Sequence, residues 1–168
     1  MGKFSVNEQF PDISDFTSVD YNQYRISKTE KLGSKAIDHG LAFTLYSRDT
    51  HYMGFAHILD YKGKLGVENS EQLMRRMVDE MLAINHQASL EATLSGEREP
   101  HKNNSASQRA EEILRALGIP VIGKDLGLNF PRVVFALPET GEVQVYRLKI
   151  PKTEFPPIVR FHHPFILS

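Results

Sequence analysis

The chain has no cysteine among its 168 residues. That absence excludes disulfides, thiolate metal sites and every thiol nucleophile at once. No stretch approaches the roughly 20 apolar residues that cross a bilayer as a helix, so membrane insertion is not expected. Nor does one charge dominate: 20 Lys and Arg stand against 21 Asp and Glu, which leaves no basic footprint for nucleic acid. The opening MGKFSVNEQF has a lysine but no apolar run behind it, so no secretory signal is read. Val6 stands where a myristoylation motif has Ser or Thr. The expected location is cytoplasmic. Also missing are internal repeats, a G-x-S-x-G elbow and an H-E-x-x-H metal pair.

What remains is an ordinary globular composition, 40% apolar and 24% charged, in a length that buries about 70% of the surface an unfolded chain exposes. Residues 1–20 show no sustained period and read as an irregular lead-in. Residues 21–27 read as a short strand, and the polar, glycine-containing run 28–40 as a loop. LAFTLYS (41–47) and HYMGFAHIL (51–59), joined by Arg48, Asp49 and Thr50, predict a hairpin. Asn69, with Gln72 three residues on, predicts the N-cap of a helix whose stripe is Leu73, Met74, Met77, Val78, Met81 and Leu82.

Leu90, Ala92 and Leu94 alternate as a strand does, and the polar EREPHKNNSA that follows reads as a mobile loop. Ser105 with Gln108 opens a second helix that Gly118 ends. IPVIGKDLG reads as a strand and turn, and 132–150 as a hairpin turning at Pro138, Thr140 and Gly141. The expected fold class is α+β: a layered α/β sandwich of mixed β-sheet with two main helices. The proline-rich tail 151–168 is expected to pack, extended, on the body. Its Phe155, Ile158, Phe161, Phe165, Ile166 and Leu167 predict an interface, either over a cleft or between two copies of the chain.

Three chemistries are open to the residues between 29 and 57. His57 shares a strand face with Met53, Phe55 and Leu59, where burial would depress its pKa and keep the imidazole neutral, as a general base requires. The competing reading is a core histidine satisfied by a backbone carbonyl. Ser34, between Gly33 and Lys35, is the candidate hydroxyl nucleophile beside that base, against the commoner role of a serine in a turn. Asp38, His39, His51 and His57 lie close in sequence, and His162 and His163 add imidazoles in the tail, but none has an established ligand spacing. No metal site and no cofactor is expected; a metal-bound water acting with His57 is the alternative.

The order of elements, with LGS, GFAHI, ILRALGI, DLG, RVVF and ETGEVQVYRL, resembles the chemoreceptor glutamine deamidase (CheD) family over residues 21 to about 150. The resemblance implies a chemistry in which a cysteine thiolate attacks a glutamine amide, a histidine activates it and a threonine supports the pair. His57 matches the family histidine. Matching LGSK to the family's Gly-Ser-Cys puts Lys35 at the cysteine and Thr29 at the threonine. Run ungapped from His57, the match puts Gly40 at the cysteine and Ser34 at the threonine. Neither alignment supplies a thiol.

Asp125-Leu126-Gly127, Arg132 and Glu139-Thr140-Gly141 match as structural positions, while Leu128 interrupts the expected glycine pair. By resemblance the partners are chemoreceptors or a CheC-type phosphatase. Three functions follow as expectations. The first is a CheD-like protein without deamidation that binds a protein partner in chemotaxis or signalling. The second is an amidohydrolase using Ser34 or a metal-bound water with His57. The third is a small-ligand sensor or structural subunit whose cleft, from Gly33 through Lys35 and His39 to Gly40, binds without reacting.

Overall fold

A computed structural model of the chain describes residues 2–9, 15–59, 67–97, 105–128, 130–155 and 157–159. In chain order the strands are β1 (Lys3–Asn7), β2 (Thr17–Ser18), β3 (Gln23–Ser27), β4 (Leu32–Gly33), β5 (Gly40–Ser47), β6 (Met53–Leu59), β7 (Leu90–Gly96), β8 (Val121–Leu126), β9 (Arg132–Leu137) and β10 (Glu142–Arg147). Helix α1 (Val67–Ile84) lies between β6 and β7, and α2 (Ala106–Leu117) between β7 and β8. One sheet runs β3-β6-β5-β7-β8 and the other β1-β10-β9-β4-β2. Both are mixed, with parallel pairs at β7–β8, β1–β10 and β2–β4.

Every residue of β5 and β6 is buried, and side-chain alternation shows against what. Leu41, Phe43, Leu45, Ala56 and Ile58 face Met74, Met77, Val78 and Met81 of α1 and Ala110, Ile113 and Leu114 of α2. Ala42, Tyr46, Met53 and Phe55 face Leu32, Val134, Ala136, Val143 and Val145 of the second sheet. The fold is thus an α+β sandwich: helices, a central sheet covered on both faces, and a second sheet. Beyond the second sheet, Phe155 and Val159 cover Val133, Phe135, Tyr146 and Leu148.

Helix α2 starts and stops where its sequence directs. The Ser105 side chain accepts from the Gln108 N–H, and Gly118 takes the left-handed conformation (φ 67°) that lets its N–H reach the carbonyls of Leu114 and Arg115. Glu97 adds a carboxylate to the same N-terminus, accepting from the Ser107 N–H at 2.8 Å and its hydroxyl at 2.5 Å. Asn69 does not cap α1, because the helical backbone already runs from Val67; Val67 and Glu68 are both compatible with a first turn.

Two segments are more ordered than their composition predicts. The first twenty residues contribute β1, pairing in parallel with β10 from Lys3 opposite Glu142 to Asn7 opposite Tyr146, and β2, pairing with β4. The run 28–40 contains β4 and buries Leu32, Gly33, Ser34, Ala36, Ile37 and Asp38. Strands of two residues are too short to show a period, and their partners lie far along the chain. The polar run from 98 to 104 and the tail from 160, with Phe161, His162, His163, Phe165, Ile166 and Leu167, lie outside the described residues.

Candidate functional site

The central sheet sets a polar row across its inner face. His57 on β6 stands opposite Ala42 on β5, Ala42 opposite Ser95 on β7, and Ser95 opposite Asp125 on β8. Directly opposed residues share a face, and Ala42 packs on the second sheet. All four side chains therefore look into the space between the sheets.

His57 lies at the centre of the candidate site and is 2% exposed. Its Nδ1 is 3.1 Å from the Val19 carbonyl oxygen. A carbonyl only accepts, so Nδ1 carries the proton and Nε2 presents a lone pair. Burial lowers the pKa from 6.5 to about 4, against the opposing pull of the Val19 carbonyl and the Asp20 charge, so the ring is neutral at neutral pH. The Tyr21 ring covers it with centroids 4.3 Å apart. Burial, then the nearby Asp38 carboxylate, raises the Tyr21 pKa.

Nε2 lies beside Gly40 and, among the described residues, has no hydrogen-bond partner. A Cβ at Gly40 would stand 3.3 Å from that nitrogen and 2.8 Å from the Ile58 carbonyl oxygen. Glycine is therefore the residue that fits there.

Ser34 is fully buried, and its Oγ also lacks a partner among the described residues. Since both atoms are unpartnered, Ser34 Oγ and His57 Nε2 are not hydrogen bonded to each other. Three of the amides around them are already engaged. The N–H groups of Ser34, Ala36 and Ile37 donate to the carbonyls of Val134, Val159 and Arg132, and the Gly40 carbonyl accepts from the Glu97 N–H. The 34–40 segment is thus fastened to the second sheet, the tail and the end of β7.

The remaining predicted residues are scattered. Thr29 is exposed, and its N–H donates to Ser27 Oγ at 3.2 Å. It lies beyond the Ser27 end of β3, whereas His57 pairs with Gln23 at the other end, about 13 Å away along the strand at 3.3 Å per residue. Gly33 is a packing glycine: a Cβ there would come within 2.6 Å of the Phe135 ring and 2.8 Å of Phe16. Lys35 is half-buried. His39 faces solvent with Nε2 3.7 Å from Asp38 Oδ2. His51 binds the Tyr46 hydroxyl through Nδ1 at 2.8 Å, outside the His57 site. Among the described residues no three His, Asp or Glu side chains converge as metal ligands would.

The other end of the polar row holds a cluster of buried charges. Asp125, 5% exposed, accepts from Arg132 Nε at 2.7 Å and Arg147 Nη2 at 2.5 Å, and Arg132 Nη2 also donates to the Gly127 carbonyl at 2.5 Å. Burial alone would raise the Asp125 pKa, but the hydrogen bonds of Arg147 and Arg132 hold it below the usual carboxylate value. These residues come from three strands of two sheets. Their sequence spacing carries no signal, beyond the DLG and Arg132 positions already noted.

No protein-family model matches the chain, so the deamidase likeness is carried by its short motifs alone. No curated protein matches it. Among solved structures the chain is similar to the Bacillus licheniformis hypothetical protein YfiH, at 10% identity and a TM-score of 0.46, over 73% of this chain. The match spans 62% of the length of that protein, under two thirds of it.

Proposed function

We propose that this protein acts by binding a protein partner and performs no amide hydrolysis. The observation that supports the reading is the closure of the His57 site. The imidazole that would serve as base is 2% exposed, roofed by Tyr21 and tied at Nδ1 to the Val19 carbonyl, with Nε2 against the Gly40 backbone. A serine hydrolase needs a hydroxyl bonded to its base and free N–H donors for the oxyanion. Ser34 is not bonded to His57, and the neighbouring amides of Ser34, Ala36 and Ile37 are engaged. The absence of any thiol closes the cysteine route. By its motifs the scaffold is CheD-like, and the partner class is then a chemoreceptor or a CheC-type phosphatase in cytoplasmic signalling.

The test is ammonia release from chemoreceptor helices and a panel of glutamine-bearing helical peptides incubated with the purified chain. The expected result is none above the buffer blank. Release that disappears in His57→Ala would overturn the proposal and assign a reaction to the site.

A further inference from the structure

We infer that a water molecule is bound between the two sheets, donating to His57 Nε2 and accepting from the Ser34 hydroxyl. The inference stands on the closed His57 site and holds with or without a protein partner. Three side-chain atoms of this layer, Ser34 Oγ, His57 Nε2 and Ser95 Oγ, are sealed from solvent and bond to no other group among the described residues. Their residues are at most 2% exposed. Native interiors leave few such groups bare, and ordered water commonly pairs them.

Counting donors and acceptors says what the partner must be. Nε2 offers only a lone pair, because Nδ1 commits the ring's proton to the Val19 carbonyl. A carbonyl or carboxylate cannot serve it, whereas a group that both donates and accepts can join it to a hydroxyl. Water is the smallest such group.

Val19 brings Ser34 to the imidazole. Its carbonyl accepts from Nδ1 at 3.1 Å, and its N–H donates at 2.8 Å to the carbonyl of Gly33, the residue before Ser34. Alternation turns the Ser34 side chain inward. Leu32 packs between the sheets, Gly33 sits against the Phe135 and Phe16 rings on the outer face, and the Ser34 N–H bonds to Val134, an inter-sheet residue.

Small residues flank the ring on this face: Gly40 and Ala42 on β5, and Ser95 opposite Ala42 on β7. On the flank where Gly40 carries no side chain, a Cβ would stand 2.8 Å from the Ile58 carbonyl oxygen and 3.3 Å from Nε2, with the Ile37 methyl next at 3.4 Å. A carbon is crowded by that oxygen, but both nearest atoms are acceptors close to hydrogen-bond distance, the surroundings that suit a donor.

The test is water–protein nuclear Overhauser spectroscopy on the isotope-labelled chain at neutral pH, with oxygen-17 relaxation dispersion to count long-lived waters. The expected result is slowly exchanging water in contact with both the His57 ring protons and the Ser34 Hβ protons. His57→Phe, which keeps an aromatic ring under Tyr21 but removes the acceptor, should lower the count by one. Ser34→Ala should speed exchange of that water about tenfold, the scale of one lost hydrogen bond. The oxygen signal does not sense hydroxyl protons, so it separates bound water from relay through a serine. Contacts at neither residue, contacts at Ser95 without Ser34, or an unchanged count in His57→Phe overturns the inference. So does an exchange rate that Ser34→Ala leaves alone. The wild-type contacts decide the matter even where a variant fails to fold. Ammonia release reads reactivity and this experiment reads occupancy, so either can fail without the other.

Discussion

Folding moves the His57 imidazole from water, where it titrates near 6.5, to a site where it titrates at about 4. Between those values the unfolded chain binds a proton that the folded chain refuses. Stability from this residue is therefore complete above pH 6.5 and is lost as pH falls toward 4, by roughly 3 kcal/mol at 1.36 kcal/mol per unit. Urea melts of the wild type and His57→Gln over that range should show the extra acid sensitivity in the wild type alone; parallel pH curves would refute the sealed ring. Gly33 supplies a second test at this scale. A methyl group there meets the Phe135 and Phe16 rings at 2.6 and 2.8 Å, so Gly33→Ala should destabilise by about 1–3 kcal/mol in the same melts, the cost of overpacking a filled core.

Among the elements, α2 shows how local chemistry sets a boundary. Ser105→Ala removes the acceptor for the Gln108 N–H and should lower stability by about 1 kcal/mol. Glu97→Ala removes a buried carboxylate holding two donors of Ser107 and should cost about 2 kcal/mol. A thermal melt that ranks the two variants the other way would contradict these bonds. Such boundaries were legible because Ser105, Gln108 and Gly118 act within a few residues of one another. The β5–β6 and β9–β10 hairpins were legible for the same reason. The burial of His57 was legible too, since Met53 and Phe55 alternate with it on one strand.

What could not be read is what depends on distant pairing. The two-residue β4 sits between β9 and β2, β1 runs parallel to β10, and Tyr21 and the Val19 carbonyl close over His57. Thr29 and His39 lie near the site only in sequence. Their neighbours Leu32, Ala36 and Ile37 are drawn into two different clusters, which carries the chain past His57 in a path that no local period encodes.

Across the whole molecule, the two sheets share an apolar interior interrupted by Asp125 with Arg132 and Arg147. Arg132→Met leaves Asp125 buried with one partner in place of two, and breaking a buried pair in this way costs about 3–5 kcal/mol. Arg147 is 25% exposed, and Arg132 is 1% exposed. Arg147→Met should therefore cost less, and equal losses in chemical denaturation would show that burial does not set the cost of breaking these pairs.

The buried methionines, Met74, Met77 and Met81 between α1 and the central sheet and Met53 between the two sheets, have a practical consequence. Met53, Met74, Met77 and Met81, four of the five methionines, are fully buried, and the chain has no thiol to compete for oxidant. Peroxide can convert those thioethers to sulfoxides only when the layers part. The pace of that conversion, read by mass spectrometry, is a built-in clock for how often this protein opens.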